Sequence, residues 1–172
     1  MSNVRRRNRI QNPMFSLFKS PAFRDPKLGE FARSRGHWRG SLAFEGIGSV
    51  PLVLSGTRTE PDAEALAKAR TLASAFTSWR PAIESALFEH YGPYAEALAA
   101  GELPPPDSPL PSISAPNEVW PHVSLVFVSV TPLEGVLTPE FGYTTAWDEE
   151  HTLGARFQHG KFLELCGSVL PP

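Results

Sequence analysis

The fold depends on one stretch near the C-terminus, Trp147-Asp148-Glu149-Glu150-His151-Thr152-Leu153-Gly154. It places an indole, three carboxylates and an imidazole in five consecutive residues and ends on a glycine. No other segment of the chain concentrates ionisable side chains in this way. A short polar segment of this kind is typical of a turn between two strands.

Residues on both sides of this stretch alternate between apolar and polar, which is the period of a half-buried strand. We predict four C-terminal strands at residues 119–130, 139–147, 153–158 and 161–169. The last three are expected to form a meander, with turns at 148–152 and at His159-Gly160. Two earlier strands are expected on either side of Gly46-Ile47-Gly48-Ser49, so that they form a hairpin.

A helical region is predicted between the hairpin and the C-terminal strands. Thr59-Glu60-Pro61-Asp62 combines a hydroxyl cap, an early proline and acidic residues, which is typical of a helix start. Apolar residues then recur every three or four positions through residue 79. Pro81 is expected to open a second helix, and Gly92-Pro93 to break it before a shorter piece that ends at Gly101.

These elements predict an α+β protein: an antiparallel sheet, made of an N-terminal hairpin and a C-terminal four-strand meander, with two to three helices packed on one face. A single domain is expected at residues 13–172, because neither half of the chain has enough strands to close alone. Residues 13–36 are expected to wrap it as ordered coil. The proline-rich residues 102–118 are expected to be an internal connection, and residues 1–12 a disordered basic tail.

Composition limits the classes of protein. The single cysteine, Cys166, excludes an internal disulfide framework and suits a reducing compartment, so a cytoplasmic protein is expected. No run approaches about 18 consecutive apolar residues, so no membrane span is expected. The chain lacks the signatures of phosphate-binding loops, dinucleotide-binding folds, serine hydrolases and zinc proteases, and the leading interpretation includes no cofactor and no metal.

Charge is unevenly distributed along the chain. Residues 1–39 have a balance of +8 and residues 40–172 a balance of −10, which together give the net charge of −2. The acidic body favours a protein partner with a basic surface. The N-terminal arginines are not interleaved with aromatic residues, so nucleic-acid binding through this arm is a weaker alternative to a solvated tail.

One interpretation of the turn is functional. Glu150 and His151, with Asp148 and His122 as helpers, would bind a divalent cation or act as acid and base, because carboxylates and imidazoles supply both kinds of chemistry. Pairing between the strands is what would bring His122 towards His151. Glu150 and His151 are the candidate catalytic residues under this interpretation.

The other interpretation is architectural. Asp148 would close the turn, Trp147 would anchor it to the sheet, and Gly154 would permit a close approach of another chain segment. Adjacent strand residues point to opposite faces, which favours this interpretation or a binding surface over convergent chemistry. His90 lies on the apolar stripe of the second predicted helix and is expected to be a core residue rather than a ligand. The predicted binding surface consists of Trp147, Asp148, Glu149, Glu150 and His151.

Three parts of the sequence together resemble a family of uncharacterised bacterial domains. They are Trp38-Arg39-Gly40 ahead of a hairpin, Tyr91 late in the helices, and the 147–154 stretch before a closing strand. That family carries a W-D-x-E-H-G-L-G-like signature near its C-terminus, and the resemblance covers roughly residues 30–170. Thr152 stands where the family has glycine, which indicates a less constrained turn. The resemblance implies a bacterial cytosolic protein and supplies no catalytic residues.

Two classes of function follow from the sequence. The leading hypothesis is a non-catalytic protein-binding module, for which an immunity-like role that neutralises a toxin is an analogy. The alternative is a metal-binding or acid–base enzyme that uses Glu150 and His151. The identity of a partner or substrate and the oligomeric state do not follow from the sequence.

Overall fold

The computed structural model describes residues 22–102 and 109–170, which form one long α-helix and a single eight-stranded sheet. The helix, α1, is Ala63–Ala99, and short 3-10 helices lie at Pro116–Glu118 and Trp120–His122. The strands, β1 to β8, are Ala22–Asp25, Gly29–Ser34, His37–Phe44, Gly48–Leu54, Val123–Leu133, Val136–Thr145, Leu153–Gln158 and Lys161–Cys166. The prediction of a mixed α+β fold is confirmed.

The sheet is continuous, so the prediction of a separate hairpin and a four-strand meander is wrong. Strands that follow each other in the chain are neighbours throughout the sheet, in the order β1 to β8. Every pair is antiparallel except β4 and β5, which pair in parallel over residues 52–54 and 128–130. The chain can make this parallel step because α1 lies between the two strands and carries it back along the sheet. The β4–β5 pair therefore joins two antiparallel halves.

The first two strands occupy residues where the sequence predicts ordered coil. Residues 22–34 form the β1–β2 hairpin, so the prediction of coil at 13–36 is wrong for this part. Pro26 and Gly29, which interrupt the sequence pattern, lie in and beside the turn, and Gly29 has the positive φ of +83° that such a turn requires. The expected basic tail at 1–12 lies outside the described residues.

An ion pair between a buried carboxylate and a more exposed arginine connects this hairpin to the helix. Asp25 is 1% exposed, and its carboxylate accepts hydrogen bonds from the guanidinium of Arg70 in α1. The same carboxylate accepts the backbone N–H groups of Lys27 and Leu28, which closes the β1–β2 turn. The hydrogen bond from Arg70 outweighs burial and lowers the pKa of Asp25 to about 2. Asp25 is thus ionised at neutral pH and fixes the first hairpin against α1.

One continuous helix replaces the two or three that the sequence predicts. Pro81 and Pro93 lie inside α1, where each removes one hydrogen bond to the carbonyl four residues earlier. Those carbonyls belong to Thr77 and Glu89, which are exposed, so water can satisfy them. The apolar face stays in register along the whole helix, and its burial outweighs the roughly 3 kcal/mol that a proline costs in a helix interior. Among the described residues, no helix combines the length and the apolarity that a membrane span requires.

The helix starts slightly later than the sequence predicts. Asp62 is the N-cap, and its carboxylate accepts the backbone N–H groups of Glu64 and Ala65, both at 2.9 Å. Thr59 is therefore not the cap, and its hydroxyl lies 3.1 Å from the hydroxyl of Thr57 in the preceding loop. The capping chemistry of the segment is as expected, but a later residue supplies it.

The core lies between α1 and one face of the sheet. Phe76 of α1 packs against Phe44 of β3 and Phe141 of β6, with ring centroids 5.2 and 5.6 Å apart. Trp79, nearly one turn further along the helix, stacks on Phe157 of β7 at 4.2 Å. The helix therefore packs on strands from both antiparallel halves of the sheet.

The opposite face of the sheet has two adjacent glycines that leave room for larger side chains. Gly142 of β6 pairs with Gly154 of β7. A Cβ at Gly142 would overlap the ring of Phe127, and a Cβ at Gly154 would lie 2.7 Å from Cγ1 of Val169. The glycine that ends the 147–154 stretch thus permits a close side-chain approach.

Substitution at Gly142 should destabilise the fold. Phe127 is 2% exposed and cannot move aside, so Gly142→Ala is expected to lower the free energy of unfolding by about 1–3 kcal/mol. The matched control is Gly92→Ala inside α1, where no atom lies within 4 Å of the added Cβ and the helix should gain about 0.5–1 kcal/mol. Urea denaturation measures both, and equal shifts for the two variants would contradict the packing described.

Candidate functional site

The turn between β6 and β7 lies against the C-terminal half of α1. Trp147 is 5% exposed, and its indole Nε1 donates to Nδ1 of His90 at 3.1 Å. The ring of Tyr91 meets the indole edge-on at 5.5 Å. The aromatic residue that opens the 147–154 stretch therefore fixes the turn to the helix as well as to the sheet.

Asp148 is the centre of a second set of contacts. It is 7% exposed, and Oδ2 accepts the hydroxyl of Tyr94 at 2.8 Å. Oδ1 lies 2.8 Å from Nδ1 of His151. The backbone N–H of Asp148 donates to Oγ1 of Thr145 at 3.1 Å, which closes the turn. The side chain and backbone of this one residue thus connect the helix, the end of β6 and the exposed part of the turn.

The protonation of this pair follows from its contacts. Burial by itself raises the pKa of Asp148, but the hydrogen bonds from Tyr94 and His151 outweigh it, so the pKa lies below its usual range. Burial and the carboxylates of Asp148 and Glu150 raise the pKa of Tyr94 to about 12. At neutral pH the Asp148 side chain is therefore a carboxylate and the Tyr94 side chain a neutral donor.

His90 accepts rather than donates in this cluster. Its Nδ1 takes the hydrogen bond from the indole of Trp147, so the neutral ring carries its proton on Nε2. Burial lowers the pKa of His90, the charge of Asp148 opposes this, and His151 adds to it. The expectation of a core residue on the helix stripe is in keeping with this position, where His90 is half-buried with one defined partner.

Three residues of the predicted binding surface face solvent. Glu149, Glu150 and His151 are exposed, whereas Trp147 and Asp148 are buried. The described hydrogen bonds of His151 are to Asp148, one of the helpers in the functional interpretation, and none is to Glu150. The carboxylate of Asp148 orients the ring of His151 through Nδ1, which leaves Nε2 as the nitrogen for other contacts. Histidines that act as bases are often oriented in this way.

His122 does not join this cluster. Its backbone carbonyl accepts the N–H of Ala146 at 2.9 Å, so sheet pairing does bring it beside the turn. No hydrogen bond connects the imidazoles of His122 and His151 in the described parts of the chain. Within those same parts, no group of three or more His, Cys, Asp or Glu side chains is placed to hold a metal ion.

The helix partners of the turn are the residues that sequence reasoning missed. His90 and Tyr94 are four residues apart, and their rings lie 5.5 Å apart on one face of α1. An i, i+4 pair of polar aromatics next to an apolar stripe is the signal that would have identified them. The pattern does not show which part of the sheet that face meets.

The part of the chain that includes the site carries acidic residues without Lys or Arg. Residues 81–155 contain eleven Asp and Glu and no Lys or Arg. Glu89 and Glu96 are exposed on the part of α1 that carries His90 and Tyr94, and Glu149 and Glu150 are exposed on the turn. The charge of Glu150 also contributes to raising the pKa of Tyr94. The term acidic surface is used here for these four exposed carboxylates, Glu89, Glu96, Glu149 and Glu150.

The free energy of unfolding should decrease as the pH is lowered and His90 is protonated. Its pKa is lower in the folded state than the ~6.5 of an unfolded chain, so the unfolded state takes up a proton first and is favoured as the pH falls below about 7. His90→Gln keeps an acceptor for the indole but cannot titrate. Urea unfolding at pH 7.5, 6.5 and 5.5 should show a smaller loss of stability for this variant than for the wild type. His159→Asn, in an exposed turn with positive φ, is the control and should keep the wild-type dependence.

Comparison with known proteins gives one match. A search of curated proteins and a search of solved structures each find no similar chain. A model of the family described as "Domain of unknown function (DUF6985)" matches residues 27–168, which include β2 to β8, α1 and the 147–154 stretch. The match agrees with the resemblance found in the sequence to an uncharacterised domain family. The chain belongs to the DUF6985 family.

Proposed function

We propose that this chain is a non-catalytic protein-binding module of the bacterial cytoplasm, and that its acidic surface receives a partner with a basic surface. The observation that carries the proposal is the turn in which two exposed carboxylates, Glu149 and Glu150, follow a buried and triply bonded Asp148. An immunity-like role, in which the partner is a toxin, is one form of this function.

The geometry supports binding because the charges are presented on a fixed support. Trp147 and Asp148 tie the start of the turn to His90 and Tyr94 of the helix. The backbone that carries the two glutamates is therefore ordered before a partner arrives, and association loses less conformational entropy.

The charge distribution supports a basic partner. With no Lys or Arg between residues 81 and 155, no cation from this part of the chain competes for the acidic surface. Complementary charge speeds association and excludes acidic competitors more than it adds affinity. The free Cys166 is consistent with the reducing compartment proposed.

Charge reversal on the turn tests this function. The full-length protein, immobilised as bait in soluble extract of its native host at 150 mM NaCl, should retain a protein at one-to-one stoichiometry. Binding of that purified partner should weaken by about tenfold or more in Glu149→Lys/Glu150→Lys and should weaken for the wild type at 500 mM NaCl, because exposed charge pairs are screened by salt.

The control reverses two charges elsewhere. Glu60 and Glu134 are exposed at the opposite end of the sheet, in the loop before α1 and in the β5–β6 turn. Glu60→Lys/Glu134→Lys makes the same change in net charge and should keep the partner's affinity within about twofold of wild type. Recovery of no stoichiometric partner, or equal loss with both double variants, would contradict the proposal.

A second candidate function, acid–base chemistry, is supported by the contact between His151 and Asp148. The carboxylate fixes the orientation of the ring, as in carboxylate–histidine pairs that act as general bases. No nucleophile is hydrogen-bonded to the imidazole among the described residues. A reaction at this site would therefore be one in which His151 activates water or removes a proton from a bound substrate.

Hydrolysis of chromogenic substrates tests this candidate. The purified protein with 4-nitrophenyl acetate and bis(4-nitrophenyl) phosphate should show turnover that falls by about 100-fold in His151→Gln and is kept in His159→Asn. Equal rates for the wild type and His151→Gln would rule out acid–base work by this histidine. For a metal-dependent form, calorimetric titration with Zn²⁺, Mn²⁺ and Ca²⁺ should give saturable heat and a higher melting temperature, and the absence of both would contradict it.

A further inference from the structure

A cavity of about 650 Å³ lies at a different place in the fold from the acidic surface. It opens between the β3–β4 turn, the middle of α1 and the start of β5, and it is lined by none of residues 147–151. Its volume falls within the range of sites that bind small molecules. The residues that matter for its chemistry are Ile47, Phe76, Arg80, Trp120, Leu125 and Tyr143.

The cavity exists because the two halves of the sheet separate here. β4 begins at Gly48 and β5 at Val123, but the two strands pair only at residues 52–54 and 128–130. The first residues of both strands diverge, and Ser124 and Gly48 at their ends are exposed. The opening is thus part of the sheet geometry and not a fluctuation of a surface loop.

Tyr143, which lines the cavity, has a buried hydroxyl without a partner among the described residues. Tyr143 of β6 is 0% exposed, and no described residue forms a hydrogen bond with its OH group. Burial raises the pKa of Tyr143 far above its usual range, and the nearby charge of Arg80 only partly opposes this, so the group is a neutral donor. A buried hydroxyl that makes no hydrogen bond costs about 1–3 kcal/mol, which a ligand acceptor would recover.

Arg80 supplies a cation to the lining of the same cavity. Arg80 donates from Nε to Glu84 at 3.1 Å, and its guanidinium lies over the ring of Trp120, 4.4 Å from the centroid. The indole of Trp120 donates to the same Glu84 carboxylate. Arg80 is thereby held by its Nε side, and no described residue accepts from its two terminal nitrogens. Those nitrogens form the planar donor pair that binds a carboxylate.

The remaining wall is apolar and aromatic. The rings of Phe76 and Trp120 meet edge-on at 6.1 Å, and the Trp120 ring lies 6.2 Å from that of Tyr143. Ile47 is 43% exposed at the β3–β4 turn, where it covers one side of the opening. A flat hydrocarbon ring would bury this surface and would pack well against aromatic edges.

We propose that this cavity binds a small aromatic monocarboxylate, with the carboxylate held by the terminal nitrogens of Arg80 and the hydroxyl of Tyr143, and the ring packed on Phe76 and Trp120. A single negative charge is specified because Arg80 is the one cation among the described lining residues and already pairs with Glu84, so a second carboxylate would meet the charge of Glu45 without a cation to pair with. The site is independent of the acidic surface, and its occupancy does not require the proposed protein partner.

Binding of 1-naphthoate to the full chain tests the proposal. Isothermal titration calorimetry should give one saturable site with Kd below about 1 mM. The neutral 1-naphthamide and the dicarboxylate 1,8-naphthalenedicarboxylate should each bind about tenfold more weakly, because they lose the charge pairing or add repulsion. No saturable heat with 1-naphthoate up to 5 mM, or equal affinity for the acid and the amide, would overturn the proposal.

Two variants assign the contacts. Tyr143→Phe removes one hydroxyl that has no partner in the protein, so it should keep or raise the melting temperature while weakening 1-naphthoate binding about tenfold. Arg80→Gln should weaken 1-naphthoate binding about 100-fold. Arg80→Lys keeps the charge without the planar donor pair, so its affinity should lie between those of the wild type and Arg80→Gln. The control Arg35→Gln, in an exposed turn, should bind as wild type. Unchanged affinity in both Tyr143→Phe and Arg80→Gln would overturn the assignment.

Discussion

The two antiparallel halves of the sheet meet over three residues of parallel pairing between β4 and β5, and the rest of the structure depends on how that short junction is held. Three residue pairs of a parallel ladder are a weak connection by themselves. Helix α1 supplies the missing contact, because Phe76 packs on Phe44 of the first half and on Phe141 of the second. The ion pair between Asp25 and Arg70 and the hydrogen bond between Tyr94 and Asp148 attach the same helix to β1 and to the β6–β7 turn. One rigid helix therefore determines the positions of both candidate sites.

The alternation of apolar and polar residues predicted a strand well where one face of that strand packs on the core. The third of the four predicted C-terminal strands, 153–158, coincides with β7, and the hairpin around Gly46 is β3–β4. The pattern failed where a local rule was outweighed by packing: Pro81 and Pro93 interrupt only hydrogen bonds that face solvent, so α1 continues through both. The β1–β2 hairpin was missed because its turn is closed by the buried Asp25 carboxylate, whose partner Arg70 is 45 residues away.

The sequence predicted the residues of the candidate site that lie in one stretch but not their partners on the helix. The 147–154 stretch is recognisable because its residues are consecutive and unusual. What each residue does depends on the helix face opposite: His90 and Tyr94 make Trp147 and Asp148 structural and leave Glu149, Glu150 and His151 exposed. The cavity near Tyr143 was not predictable from pattern at all, since its walls come from four separate parts of the chain and its opening results from two strands that diverge.

The separation of charge along the chain also affects how copies of this protein meet one another. Residues 22–39 carry five Lys and Arg against Asp25 and Glu30, and the Asp25 carboxylate is already neutralised by Arg70, whereas residues 81–155 carry no cation. Any contact that this charge separation favours between two copies would join the basic edge of one to the acidic surface of the other, which are two different faces. Repeats of such a heterologous contact would form a closed ring or an open chain, according to the rotation between successive copies. At the ionic strength of a cell the attraction between exposed charges extends only about 8 Å.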